Sequence, residues 1–212
     1  MANKKNDSLI VLAETIADNK FITGDRLVEI GISGPTLEAS LSSIAMAQAE
    51  LGHARLMYKW SNELQGLNAS KMEVKEQTGK AFPALVNASN WLSLIAGLYA
   101  NNQAVDLVIK AILKAEPPNL PTPFNKMIRE QQEHLLYAKS WCKQLLRDRG
   151  AVPRVFKQHL EKAVAEVEQW LVKVEKDPQL QSEAIILNNS NLVKTFKSEI
   201  EQLTNFEEVQ HV

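Results

Sequence analysis

Glu50 and His53 stand three residues apart in Ala49-Glu50-Leu51-Gly52-His53-Ala54-Arg55, and Gln131 and His134 repeat that spacing in Glu130-Gln131-Gln132-Glu133-His134-Leu135. A Glu and a His three apart share one face of a helix, where both reach the same metal ion. Two such pairs on facing helices, with one carboxylate from each of two further helices, build a di-metal site inside a four-helix bundle. Here only one pair is complete. At position 131 a neutral amide stands in the carboxylate's place.

The surroundings of these residues are apolar. Met46, Ala49, Glu50, His53, Met57 and Trp60 share a helix face, so Glu50 and His53 interrupt a core stripe. Phe124, Met127, Ile128, Gln131, His134, Ala138, Trp141 and Leu145 form a comparable stripe, with Gln131 and His134 its polar members. A third stripe runs Trp91, Ile95, Leu98, Asn102, Val105, Ile109 and Ile112, with Asn102 alone polar. Burying such groups costs roughly a few kcal/mol each unless partners satisfy them. The cheapest arrangement brings them together at one level, bonded to each other, to water or to a metal. An isolated His or Asn on an apolar face is more often a satisfied core residue than a ligand, so the argument rests on their coincidence. In the first helix Ile22, Asp25 and Glu29 share a face, and either acid is a candidate to point inward; solvated positions are the competing reading.

The elements that must carry these stripes are helices. Apolar residues recur at helical spacing and no segment sustains strand alternation. The pattern predicts a first helix over about Ser8 to Ile30, irregular near Asp18-Asn19-Lys20 and ended by Gly31-Ile32-Ser33-Gly34. A second begins with Pro35 at its first position and runs to about Leu64. A polar connection, with room for a short helix, leads through Gly66 and Gly79 to Pro83. The third covers about Asn87 to Lys114, and the Asn119-Leu120-Pro121-Thr122-Pro123 linker feeds a fourth ending near Arg149-Gly150. A fifth spans about Pro153 to Lys176 and a last one about Leu192 to Leu203. The expected architecture is all-α, one domain over 1–212, with a bundle core at about 8–150 and C-terminal helices at about 153–205.

Composition removes several function classes. The 24 basic and 25 acidic residues nearly cancel, so no general attraction to nucleic acid or an anionic membrane is implied. Cys142 is the single cysteine, which suits a reducing compartment, and the expectation is a cytoplasmic protein without signal peptide or membrane span. Cys142 reads as a small buried residue rather than a nucleophile. His159 and His211 lie in exposed-looking or terminal segments and support no serine triad, and no Gly-rich phosphate loop is present. Arg55, Lys59 and Lys71 are candidates for contact with a ligand phosphate, with a solvated helix face as the simpler reading. Tyr58, Trp60, Tyr137 and Trp141 read as core or interface aromatics.

The stretch from Leu27 to Tyr58, containing Gly-Ile-Ser-Gly-Pro-Thr-Leu-Glu and Ala-Gln-Ala-Glu-Leu-Gly-His-Ala-Arg-Leu-Met-Tyr, resembles the phenylacetic acid catabolic protein family. The resemblance continues from Trp91 to Trp141 through Glu-Gln-Gln-Glu-His-Leu-Leu-Tyr-Ala-Lys-Ser-Trp. It implies a ferritin-like bundle akin to the A and C subunits of bacterial phenylacetyl-CoA epoxidase. In the catalytic subunits a di-iron site activates oxygen to epoxidise a CoA-linked aromatic ring. Its ligand pattern is one Glu from helix one, Glu-x-x-His from helix two, Asp from helix three and a second Glu-x-x-His from helix four. Carried over, Glu50, His53 and His134 match, and Glu29 is the counterpart of the helix-one acid. Asn102 stands for the Asp and Gln131 for the Glu.

An amide oxygen brings no negative charge, so the expected site retains two carboxylates, Glu29 and Glu50, and holds a pair of ferric ions poorly. Glu130, four residues before His134, is the possible substitute, whereas Glu133 and Asp106 point toward neighbouring faces. The expected cofactor is none, or a single divalent metal on Glu29, Glu50 and His53, rather than di-iron. The alternative is a metal-free network of Glu50, His53 and His134 closed by Asn102 and Gln131. These expectations describe an accessory subunit of C-type character, paired with a related ferritin-like subunit or with itself. An active di-iron component and a stand-alone helical interaction protein are the competing functions.

Overall fold

A computed structural model describes residues 7–67, 76–115 and 124–205. The expected Asn119–Pro123 linker, Lys71 and His211 lie outside these residues. Among the described residues every regular element is a helix. The long ones are α1 (Asp7–Glu29), α2 (Leu37–Leu64), α4 (Trp91–Ala115), α5 (Phe124–Leu146) and α6 (Val152–Glu175), followed by α8 (Leu192–Thr204). Two short ones, α3 (Pro83–Val86) and α7 (Pro178–Ser182), lie in the connections, and a 3₁₀ turn covers Gly31–Ser33. The all-α bundle expected from periodicity, ferritin-like as the resemblance implies, is present. No described helix is long and apolar enough to cross a membrane.

Local chemistry moves several boundaries. Pro35 is not the first helical residue: Thr36 takes the N-cap, its hydroxyl accepting from Ala39 N–H at 3.1 Å, so α2 starts at Leu37. α4 starts at Trp91 rather than Asn87, because Asn87 closes α3 and the Asn90 side chain accepts from Ser93 N–H at 3.0 Å. α5 stops at Leu146, a turn earlier than Arg149-Gly150 suggests. No break interrupts α1 at Asp18-Asn19-Lys20, where all three residues are helical and fully buried.

α1 pairs with α2 and α4 with α5, while α6 packs on α4 and α5 and α8 closes over α6. The α1–α2 approach is close enough to require glycine. A Cβ on Gly24 would meet Leu51 Cγ at 2.7 Å, and one on Gly31 would meet Ser43 Cβ at 2.5 Å. The apolar core is in two parts. One contains Ile16, Met57, Trp60, Val105, Ile109, Phe124 and Met127; the other contains Leu27, Met46, Leu94, Leu98, Tyr99, Ala138 and Leu145. Between them the bundle carries a polar layer built from Lys20, Glu50, His53, Asn102, Gln131 and His134.

Candidate functional site: a polar layer across the bundle

The inward stripe of α1 runs Ala13, Ile16, Ala17, Lys20, Thr23, Gly24 and Leu27, so the helix delivers Lys20 to the bundle axis. Its neighbours fix the chain around it. Asp18 accepts from Tyr58 O–H, from Thr78 N–H (2.8 Å) and Thr78 Oγ1 (2.9 Å), and from Lys80 N–H (2.6 Å). Asn19 Oδ1 accepts from Phe82 N–H at 2.9 Å. Two buried polar residues of one turn thus tie the segment from 78 to 82 onto α1, while the third faces the other helices.

The layer is a connected network. Lys20 Nζ lies 2.8 Å from Glu50 Oε2, donates to Asn102 Oδ1 at 3.1 Å, and donates to Gln131 Oε1. Glu50 Oε1 accepts from His134 Nδ1 at 2.7 Å and from Asn102 Nδ2 at 3.4 Å. Gln131 Nε2 donates to the Asn102 backbone oxygen at 2.9 Å, which orients its carbonyl toward Lys20. Beside this, His53 Nε2 lies 2.8 Å from Glu130 Oε2, and the His53 and His134 ring centroids are 5.9 Å apart.

Electrostatics follow from burial and pairing. Burial pushes the Glu50 carboxyl up, but Lys20 foremost and then the two histidines outweigh it and hold it at about 2. Burial lowers the Lys20 ammonium below its ordinary value, against the opposing pull of Glu50. Burial, and then the nearby Lys20 charge, lower His53, which favours the neutral imidazole. Glu130 accepts only, so His53 Nε2 carries the proton and Nδ1 is a buried lone pair with no hydrogen-bond partner.

Most residues singled out in the sequence meet here, and the acids of α1 do not. Glu50, His53 and His134 present ligand-type atoms within 4.8 Å of one another. Asn102 and Gln131 are wholly buried beside them. Glu29 corrects the expectation of a helix-one ligand: its side chain is 61% exposed and pairs with Arg26 at 2.6 Å. Asp25 pairs with the same guanidinium, also at 2.6 Å. The reason is helical phase, since nine residues turn Glu29 by about half a revolution away from Lys20. Glu130 turns far enough in to meet His53 but stays 32% exposed, and it does not touch Glu50's network. Glu133 is exposed, whereas Asp106 is buried and held by Lys110 at 2.7 Å.

The metal-free network expected from the sequence lacks His53, which pairs with Glu130 instead, and gains Lys20. The other candidates fall where the simpler readings placed them. Cys142 is buried, and desolvation pushes its thiol well up. Trp60 packs edge-on against Phe124 and Trp141 against Trp91, with centroids 5.2 and 5.0 Å apart. Arg55 and Lys59 are exposed on α2, Lys59 lying 3.6 Å from Glu63, whereas His159, expected to be exposed, is half-buried on α6.

The bundle, with paired polar positions on α2 and α5 at one level, is the geometry that the comparison with known families can decide. The family model described as phenylacetic acid catabolic protein matches residues 1–210. The chain belongs to that family. No curated protein matches it.

The pair of iron ions that the resemblance implies calls for several anionic oxygens, and the donor set of this layer is poor in them. One carboxylate, Glu50, lies wholly inside the layer, and its two oxygens are engaged by His134 and Lys20. Asn102 and Gln131 supply neutral oxygens, and both point at the ammonium. The orphaned His53 Nδ1 is a ligand atom without a ligand-ready carboxylate beside it. A buried cation already stands among these groups, and further cations there meet repulsion at low dielectric.

Proposed function

We propose that this chain is an accessory, non-oxidising member of a phenylacetate-degrading oxygenase, contributing a rigid bundle to a related ferritin-like catalytic subunit. The observation that supports this most is the Lys20–Glu50 ion pair, both side chains fully buried, at the level where the family pattern calls for a helix-one acid. An ammonium there neutralises Glu50, the one carboxylate within the layer, and so opposes the binding of iron beside it. The substrate class, a CoA-linked aromatic acid, comes with the family and would be handled by the partner.

A partner surface supports the same reading. Leu37, Leu41, Ile44 and Leu51 form one exposed apolar row along α2, and Val28 and Ile32 add to the exposed apolar surface of α1 and the turn after it. Large apolar residues clustered on one face are what a second bundle covers.

A second reading, an active di-metal subunit, draws on Glu130, whose carboxylate reaches His53. Iron content separates the two. Expression in iron-supplied medium followed by metal analysis is expected to give far less than stoichiometric iron and no oxo-bridged absorption band. Two irons per chain with that band reject the accessory reading. Size-exclusion chromatography with a ferritin-like catalytic subunit of the family is expected to give a complex, weakened by Leu41→Asp on the apolar row.

A further inference from the structure

We propose that the Lys20 ammonium is the resident cation of this bundle: it organises the polar layer as a metal ion would and, by occupying that role, keeps metal out. This rests on the accessory reading above and supplies its physical cause. Three observations carry it.

The first is donor count. An ammonium has three N–H groups and a neutral amine two. Nζ has three oxygen partners, one from each of the other three core helices: Glu50 Oε2 of α2, Asn102 Oδ1 of α4 and Gln131 Oε1 of α5. Two of these contacts are hydrogen bonds and the third, to Glu50 Oε2, is an ion pair, so oxygens from three helices surround the ammonium.

The second is amide orientation. Each amide could turn either its oxygen or its nitrogen toward the centre. Asn102 Nδ2 is directed to Glu50 and Gln131 Nε2 to the Asn102 backbone, so both oxygens face Nζ. The surrounding bonds therefore select a cation-facing arrangement in advance.

The third is charge. One carboxylate and two neutral carbonyls match a single positive charge. A divalent ion in addition to the ammonium would leave net positive charge in a layer closed above and below by apolar core. Without the ammonium, Glu50, His53 with its free buried Nδ1, and His134 are three ligand-type groups close together. The residue that prevents metal binding is thus on α1, not at the exchanged positions of α4 and α5.

Lys20→Met, close in length and uncharged, tests this on the full chain with Co2+ as the probe. Wild-type protein titrated with Co2+ is expected to show no visible d–d absorption. K20M is expected to gain a stoichiometric Co2+ site with that absorption, and K20M/E50Q to lose it again. Should K20M not fold by itself, refolding it from urea with Co2+ present is expected to restore a cooperative unfolding transition, since the ion supplies the missing charge. A K20M protein that takes up no Co2+, folded or during refolding, overturns the inference while the accessory reading stands. So does a wild-type chain that binds Co2+ in a manner abolished by E50Q. Two irons in wild-type protein instead remove the accessory reading itself, so the two failures are distinguishable.

Discussion

Lys20 Nζ lies 2.8 Å from Glu50 Oε2 with both side chains wholly buried, whereas Glu29 lies on the far side of the same helix, bound to Arg26 at 2.6 Å. One helix therefore turns Lys20 toward the bundle axis and Asp25 and Glu29 away from it. In low dielectric that choice sets the sign of the layer, because a buried charge persists only when an opposite charge and hydrogen bonds answer it.

Breaking the pair from one side should be far worse than removing both members. Glu50→Gln leaves the ammonium buried without an anion and is expected to lower stability by about 3–5 kcal/mol. K20M/E50Q, neutral on both sides, is expected to recover most of that loss. Urea denaturation of the wild type, both single variants and the double variant measures the coupling directly. Additive losses, with no recovery in the double variant, would show that the two groups do not act as an ion pair.

The α1–α2 contact makes a second, steric prediction. Where the 3₁₀ turn after α1 meets α2, a Cβ at Gly31 would lie 2.5 Å from Ser43 Cβ and 2.6 Å from Ser43 Oγ, so the turn and α2 must part to admit it. Gly31→Ala is expected to destabilise by about 1–3 kcal/mol, as overpacking of a dense interface does. Gly52→Ala is its control, because nothing lies within 4 Å of a Cβ there, and a mid-helix alanine should be neutral or stabilising. Equal melting temperatures for the two variants would contradict the close approach.

Much of this was legible in residue spacing. The apolar stripes that carry Glu50, His53, Asn102, Gln131 and His134 put all five at one level of the bundle, and burial of all five agrees. The sixth member was not legible by residue type, because a lysine inside an apolar core is rare and Asp18-Asn19-Lys20 reads as a break in α1. Phase was the available signal: Lys20 falls in register with Ile16, Thr23 and Leu27, and Glu29 does not. The loop partners of Asp18 and Asn19, at Thr78, Lys80 and Phe82, lie sixty or more residues away, where no local pattern points to them.

Those long-range bonds predict a local effect. Asp18 accepts two backbone N–H groups and the Thr78 hydroxyl besides Tyr58. Asp18→Ala leaves these donors unanswered and should release the segment from 78 to 82 before the bundle itself opens. Amide hydrogen exchange is expected to accelerate at Thr78 and Lys80 by at least about tenfold, corresponding to roughly 1.4 kcal/mol of lost protection. Exchange at Val105 and Ile109 should change less. A uniform acceleration throughout the chain would mean that Asp18 acts on global stability alone.

Acid should weaken the layer in a defined window. Glu50 is held at about 2 in the folded protein, against an ordinary value of 4.5. Between these values the unfolded chain takes up the proton more readily than the folded one, so stability rises with pH there. The Glu50 contribution is fully present above about pH 4.5 and declines as the pH falls toward about 2. Urea midpoints measured from about pH 5 downward should therefore fall more steeply for the wild type than for K20M/E50Q, in which position 50 no longer titrates. Other carboxylates titrate in both proteins and cancel in the difference. Parallel profiles would mean that Glu50 is already protonated in the folded state, and the ion pair with Lys20 would then not exist in solution.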